Sequence, residues 1–533
     1  MKSRAPALLL AALLMVAPAH AAPLTSPRLD AGTAERVDGL AAGTRAAFDV
    51  AAAAGDYVRG EFSVTAGRFD LDLVGPDGRH VRRLASDLDA RGSFQFIVPV
   101  PPARLVVTAR ADGGAARLSI TTRVARAAQR APAALLLSPA IAALAARIAA
   151  GGDTQAFWDD AARRGTPLVE PGPPGMAIIT FVARGAKHNV RLFGAPSGDH
   201  EWMDRLGKSD TWFRSFLVPE DTRLSYKLAP DVPELPGTAR ERRMAILATA
   251  QADPFNRTPW PALAPDAFNQ DSTLELPRAP AQPGLEERGA PKGSVREFRL
   301  ASPRLGNTRS ITLYTPPGFD PGDPRNVLLL VFDARAYLTK VPTPAILDNL
   351  IAEGRLPPVV AAFVSEIDPP TRARELPGNP AFADFMADEV LPLVREKTGT
   401  RIPASRTILA GSSFGGLAAA TIALRHPDRF GNAIALSGSF WWHPENAAAD
   451  AGEHVADLVA RSPRKDVRLH LAAGLFETAH ADTPGILETS RHLRDVLRAK
   501  GYDVSYREYA GGHDYLVWRG ALPDALLALV PRL

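Results

Sequence analysis

Ser413 stands in the run TILAGSSFGGLAAATIAL (407–424), between Gly411 and Gly415, with an apolar stretch before it and an alanine-rich one after it. A lone G-x-S-x-G pattern carries little weight in a chain with 42 glycines. Its setting carries more. ILAG reads as a strand and GGLAAATIALRH as a helix, so Ser413 falls at a strand–turn–helix junction, where a nucleophilic serine is held in a strained elbow with its hydroxyl exposed. Gly411 and Gly415 would let the two backbones approach there. A serine hydroxyl is a poor nucleophile near neutral pH and needs a base, usually a histidine oriented by a carboxylate.

Seven histidines follow Ser413. His426 falls on the elbow helix and His470 inside a predicted strand, while His443, His454, His480 and His492 lack a strand followed by a glycine pair. YREYAGGHDYLVW (506–518) places His513 after a strand and a glycine pair, at the entry to the last helix, so His513 is the expected base. The acid should close the strand between nucleophile and base. LHLAAGLFETAHAD (469–482) offers Glu477 directly after the strand and Asp482 five residues further on. Glu477 sits nearer the strand end, and both remain candidates on spacing alone. An oxyanion needs backbone N–H donors. Phe414 would supply one and the segment Asp333–Tyr337, through Ala334, the other. No cofactor and no metal site is expected, and the absence of cysteine excludes a thiolate as nucleophile or ligand.

The elements that must position these residues begin near residue 295. NVLLLVFD, PVVAAFVSE, RTILAG, NAIALSGS and VRLHLAAG are β-branched or leucine-rich runs, each followed by a helical pattern. That alternation predicts a mostly parallel sheet with helices on both faces over residues 295–533. Upstream, residues 22–130 alternate apolar and polar between Gly/Asp turns and predict a small β-sandwich. LLLSPAIAALAARIAA (135–150) predicts a helix capped by Ser138 with Pro139 at its first position, and 131–165 reads as a helical connector. Residues 166–260 predict a second small β-sandwich. Residues 261–294, rich in Pro, Ala and Gln, read as an extended linker.

At 533 residues the chain is too long for one ordinary core, and its 46% hydrophobic and 23% charged residues are those of a globular protein. The start MKSRAPALLLAALLMVAPAHA combines Lys2 and Arg4, a short apolar stretch and Ala19-His20-Ala21. It reads as a signal peptide over residues 1–21, so the mature chain is expected in the periplasm with no membrane span. Removing two positive charges takes the net charge from +4 to +2. With no basic stripe, nucleic acid is not an expected partner.

From about residue 157 to the end, the chain resembles the enterochelin (enterobactin) esterases, a family of α/β-hydrolases. The resemblance rests on FWDDAARRGTP, ADPFN, LELPRAPAQPG, RARELPGNPAF, GSSFGGLAA, HPDRFGNAIALSGSFWW and GGHDYLVWRGAL. It implies that residues 166–260 are the family's immunoglobulin-like N-terminal domain. It also implies Ser413 as nucleophile, His513 as base and Glu477 as acid. The implied activity is hydrolysis of ester bonds in a ferric catecholate siderophore, a small anionic substrate. Arg335, Arg372, Arg374 and Arg519 are then candidates to hold that charge, and Trp441 and Trp442 to wall its rings. DARAY (333–337) departs from the family's glycine after the aspartate, and residues before 130 fall outside the better-known members. The partner of that first module is unknown from sequence. Two other readings are an exported carboxylesterase of feruloyl or acetyl esters on carbohydrate, and a siderophore-binding protein without catalysis.

Overall fold

The computed structural model describes residues 26–129, 134–198, 200–444, 446–447, 453–479 and 484–532. The signal-peptide segment and Asp482 lie outside them. The chain divides into two compact units, residues 1–134 and 135–533.

In the first unit, alternation of side chains builds two sheets around one core. Strands Arg28–Leu29, Arg45–Val50, Arg104–Ala109, Phe69–Val74 and His80–Leu88 form one sheet. Ala34–Leu40, Gly114–Val124, Tyr57–Ala66 and Arg91–Ile97 form the other. Gly114–Val124 shows the cause, burying Ala116, Leu118 and Ile120 while Arg117 faces out. Phe48, Phe62, Phe69, Phe94 and Phe96 fill the space between the sheets.

The second unit opens with helix Pro139–Ala149, whose cap Ser138 accepts a hydrogen bond from Ile141 N–H at 3.2 Å. Helix Gln155–Arg164 follows. Two four-stranded sheets come next. One holds Leu168–Pro171, Met176–Arg184, Thr211–Pro219 and Asp204–Arg205, and the other holds Glu201–Trp202, Val190–Phe193, Arg223–Pro230 and Ser272–Glu275. Ile179, Phe181, Leu192, Trp212, Tyr226 and Leu274 make their shared core. The expectation of an extended linker over 261–294 is corrected here. Ser272–Glu275 is a strand of this sheet, registered with Arg223 opposite Glu275. Further along, Asn349 Nδ2 donates to the carbonyls of Gly284 (2.8 Å) and Glu286 (3.0 Å), which anchors the segment there. A four-residue strand is too short for periodicity to reveal, and side-chain bonds to backbone leave no apolar pattern at all.

The remainder is one eight-stranded sheet: β1 (Ser294–Ser302), β2 (Asn307–Thr315), β3 (Val327–Phe332), β4 (Val359–Val364), β5 (Thr407–Ser412), β6 (Asn432–Leu436), β7 (Arg468–Gly474) and β8 (Val504–Tyr509). Their spatial order is β1-β2-β4-β3-β5-β6-β7-β8. β1, β2 and β4 pair antiparallel. From β4 onward every pairing is parallel. Every residue of β3 is buried, and alternate ones serve opposite faces. Leu328, Leu330 and Phe332 join the core under helix Phe414–Arg425, and Val327, Leu329 and Val331 join the core under helix Tyr515–Leu529. Parallel strands covered on both faces have no polar side to show, which is why they read as unbroken apolar runs. The C-terminal ends of β3, β5, β7 and β8 lie along one edge. That edge is where parallel α/β sheets place their ligands.

Candidate active site

Ser413 follows β5 immediately and precedes helix Phe414–Arg425 with φ 57° and ψ −124°, a conformation that non-glycine residues rarely adopt. Its N–H donates to Leu436 O at 3.0 Å, which ties the elbow to β6. A Cβ on Gly411 would lie 2.6 Å from the carbonyl carbon of Gly415, so only glycine allows the helix to start this close to β5. Gly416 is the second tight position, 3.1 Å from Gly438 Cα, whereas a Cβ on Gly415 would meet its neighbours at an ordinary 3.4 Å.

His513 and Glu477 come together after adjacent parallel strands, β8 and β7. His513 Nδ1 lies 2.6 Å from Glu477 Oε1. A carboxylate oxygen accepts, so the bond orients the ring with Nδ1–H toward Glu477 and leaves Nε2 as the nitrogen that can face a substrate. Glu477 Oε2 accepts from Gly474 N–H at 2.6 Å, so both oxygens are engaged. The carboxylate is 3% exposed and the imidazole 41%, a buried orienting acid behind an accessible ring. The edge-on ring of Trp518, 4.8 Å away at 89°, supports the imidazole, and its indole N–H donates to Ser437 Oγ at 2.9 Å. Ser413 Oγ lies 3.3 Å from Ser439 Oγ, and among the described residues that is its hydrogen-bond partner, in place of His513. Such serine–base bonds often tighten only when substrate binds.

Phe414 and Ala334 are each the first residue of a helix, so neither N–H has an intrahelical acceptor. Asp333, the residue before Ala334, takes φ 57° itself, the backbone shape that a glycine there would give without strain. It is held in that shape by Arg372, which grips its carboxylate bidentately at 2.6 and 2.7 Å. Burial works against the Arg372 charge, but Asp333 outweighs it and the guanidinium keeps its proton more tightly than usual.

Of the expected substrate-binding arginines, Arg372 is thus already engaged with Asp333. Arg519 is engaged elsewhere. Its Nε donates to Gln282 Oε1 at 2.9 Å, its guanidinium lies 5.4 Å from the Trp260 ring centre, and it lines a separate cavity with Trp260 and Glu275. Arg335 and Arg374 are exposed, and Arg374 donates to Thr371 Oγ1 at 3.1 Å. Trp442 is half-buried and packs against His454 and Gly378. Trp441 is 37% exposed, and its ring centre lies 6.1 Å from that of Phe414.

Trp441, Glu477 and His513 line a cleft of about 530 Å³, a size suited to a small molecule. The lining stops short of Ser413. The opposite wall belongs to the second β region: Phe193, His200, Tyr226 and Arg243. Two backbone contacts hold that wall to the His513 loop. Arg223 N–H donates to Ala510 O at 2.9 Å, and Ser225 N–H donates to Asp514 Oδ2. Asp514 is enclosed, and burial pushes its carboxyl above the usual range. Sequence reasoning missed this wall, since no pattern within residues 190–245 sets them apart from an ordinary sandwich.

Two family profiles match the chain, one described as "Putative esterase" over residues 302–529 and one as "Enterochelin esterase, N-terminal" over residues 178–285. The iron(III) enterobactin esterase of Dickeya dadantii is 32% identical over 405 residues, covering 69% of this chain and 91% of its own. The ferric enterobactin esterase of Salmonella typhimurium superposes with a TM-score of 0.59 at 29% identity, over 71% of this chain and 99% of that one. The enterobactin esterase of Shigella flexneri, crystallised in the presence of enterobactin, gives 0.58 at 28% identity, over 71% and 98%. The chain belongs to the enterochelin (enterobactin) esterase family of serine ester hydrolases.

Proposed function

We propose that this protein hydrolyses the ester bonds of an enterobactin-like catecholate siderophore in its ferric form, with Ser413 as nucleophile, His513 as base and Glu477 as the orienting acid. The strand order β1-β2-β4-β3-β5-β6-β7-β8, the elbow after β5 and the chain order Ser–Glu–His are those of an α/β-hydrolase. The observation that carries the reading is the His513–Glu477 hydrogen bond of 2.6 Å, which orients an accessible imidazole so that Nε2 is the nitrogen left to act as base.

In the proposed reaction Ser413 Oγ turns from Ser439, gives its proton to His513 Nε2 and attacks the ester carbonyl carbon. The carbonyl electron pair moves to oxygen, where the N–H groups of Phe414 and Ala334 receive it. Collapse breaks the ester C–O bond, and the imidazolium proton passes to the leaving alkoxide. Water, deprotonated by the same nitrogen, then releases the acyl group and restores Ser413. Glu477 stays ionised throughout and stabilises the imidazolium.

A serine-directed fluorophosphonate tests the assignment. Label mapped to Ser413, blocked by enterobactin, is the expected result. Label on another serine would remove the assignment. We further propose export to the periplasm, on the strength of the charged, apolar and Ala-x-Ala start. N-terminal sequencing should find the mature chain beginning near Ala22, and an intact Met1 in the exported fraction would refute it.

A further inference from the structure

We propose that Arg243, held by His200 and Phe193 on the second β region, is the receptor for an anionic aromatic arm of the substrate. The inference rests on the siderophore reading of the Ser413 site and deepens it. Arg243 lies in helix Ala239–Thr249, which is started by a capping box between Thr238 and Glu241. It is the one arginine or lysine among the residues lining the cleft with Glu477 and His513.

Its surroundings orient the guanidinium without neutralising it. Nη1 lies 2.7 Å from His200 Nε2, and a guanidinium only donates, so that nitrogen accepts and the imidazole is neutral. The His200 ring stacks on Phe193 at 4.2 Å and 20°, and Arg243 Cζ lies 5.1 Å from the Phe193 ring centre. Both contacts favour a cation and neither supplies a negative charge. Among the described residues no carboxylate pairs with Arg243. Burial, acting without a counter-charge, lowers its pKa.

Among the described residues, the three acids that line the cleft are all occupied. Glu477 holds His513 and Gly474. Asp271 lies between Lys227 and Lys340, 3.6 Å from each. Asp514 holds the N–H groups of Ser225 and Leu516. Among the described residues the cleft therefore presents one positive charge, on the exposed Arg243 side chain, that an anion would complete, with aromatic surface on both sides, Phe193 on one wall and Trp441 on the other. The wall stands next to the triad by direct packing. A Cβ on Gly198 would lie 2.5 Å from Thr478 O, the carbonyl one residue after Glu477.

The test measures binding on the full chain carrying Ser413→Ala, so that no turnover is required. The probes are dihydroxybenzoate and dihydroxybenzamide, which share a catechol ring and differ in one charge. The anion should bind more tightly than the amide. Adding Arg243→Gln should weaken the anion by at least about tenfold and abolish the preference, and Arg243→Lys should restore part of it. Equal loss for both probes, no change, or no binding before Arg243 is altered would overturn the proposal. Thermal melts of the Gln and Lys variants identify a folding defect. A protein that shows this dependence but leaves catecholate esters intact would refute the siderophore reading and keep the anion receptor.

Discussion

Glu477→Gln replaces one oxygen by nitrogen at a position where the structure uses two acceptors. Oε1 serves His513 Nδ1 and Oε2 serves Gly474 N–H, each at 2.6 Å. An amide has one acceptor. If its carbonyl faces His513, the amide nitrogen meets the buried Gly474 donor, which costs about 1–3 kcal/mol, and the bond to histidine loses about 1 kcal/mol of charge assistance. If the amide nitrogen faces His513 instead, it forces the imidazole proton onto Nε2, which then cannot accept from Ser413. The first arrangement loses about 2–4 kcal/mol, a fall in kcat/KM of roughly one and a half to three powers of ten, and the second removes the base from the reaction. The assay is turnover of a p-nitrophenyl ester across pH, with a thermal melt to show that the fold persists. Asp482→Asn is the companion and should leave the rate nearly unchanged. A Glu477→Gln protein that is folded and within about threefold of the parent would refute the reasoning, and a large loss with Asp482→Asn would move the role there.

Three further outcomes are expected. Ser413→Ala and His513→Ala should each remove most turnover and the double variant should be scarcely worse, because the pair acts as a unit; additive losses would mean that they act separately. Burial holds His470, on β7 with Nδ1 2.9 Å from Ser505 Oγ, at a pKa of about 4 against 6.5 in the unfolded chain. Below pH 6.5 the unfolded chain gains a proton that the fold refuses, so stability falls through that window, by about 2 kcal/mol between pH 7 and pH 5. Denaturant titrations should show that loss in the parent and not in His470→Gln, and equal slopes would exclude this origin. Gly411→Ala drives a methyl into the Gly415 backbone and should cost about 1–3 kcal/mol together with activity, since the helix that starts at the elbow must shift. An unchanged melt and rate would show that the close approach is not required.

What was legible in the sequence was local. β3 to β7 announced themselves because strands buried on both faces are mostly apolar along their length, and Ser413 and His513 stood out through the segments on either side of them. What was hidden is made by pairing across the chain. Arg372 reads as a ligand arginine until Asp333, 39 residues earlier, is seen to hold it. Arg519 sits in the WRG segment that resembles the family, yet Gln282, 237 residues away, turns it to another cavity. The strand Ser272–Glu275 is defined by its neighbour Arg223–Pro230 and not by its own pattern. Arg243 belongs to ARERRM, inside a stretch that reads only as part of a second β-sandwich, and the structure makes it a helix. It reaches the cleft because Ser225 and Asp514, 289 residues apart, join the second β region to the His513 loop.

Mass spectrometry of ferric enterobactin after incubation with the parent protein and with Ser413→Ala tests the central claim most directly. The parent should yield linear products, each heavier by one water for every ester opened, and Ser413→Ala should leave the trilactone intact. An unaltered trilactone with a parent protein that still cleaves p-nitrophenyl esters would contradict the account.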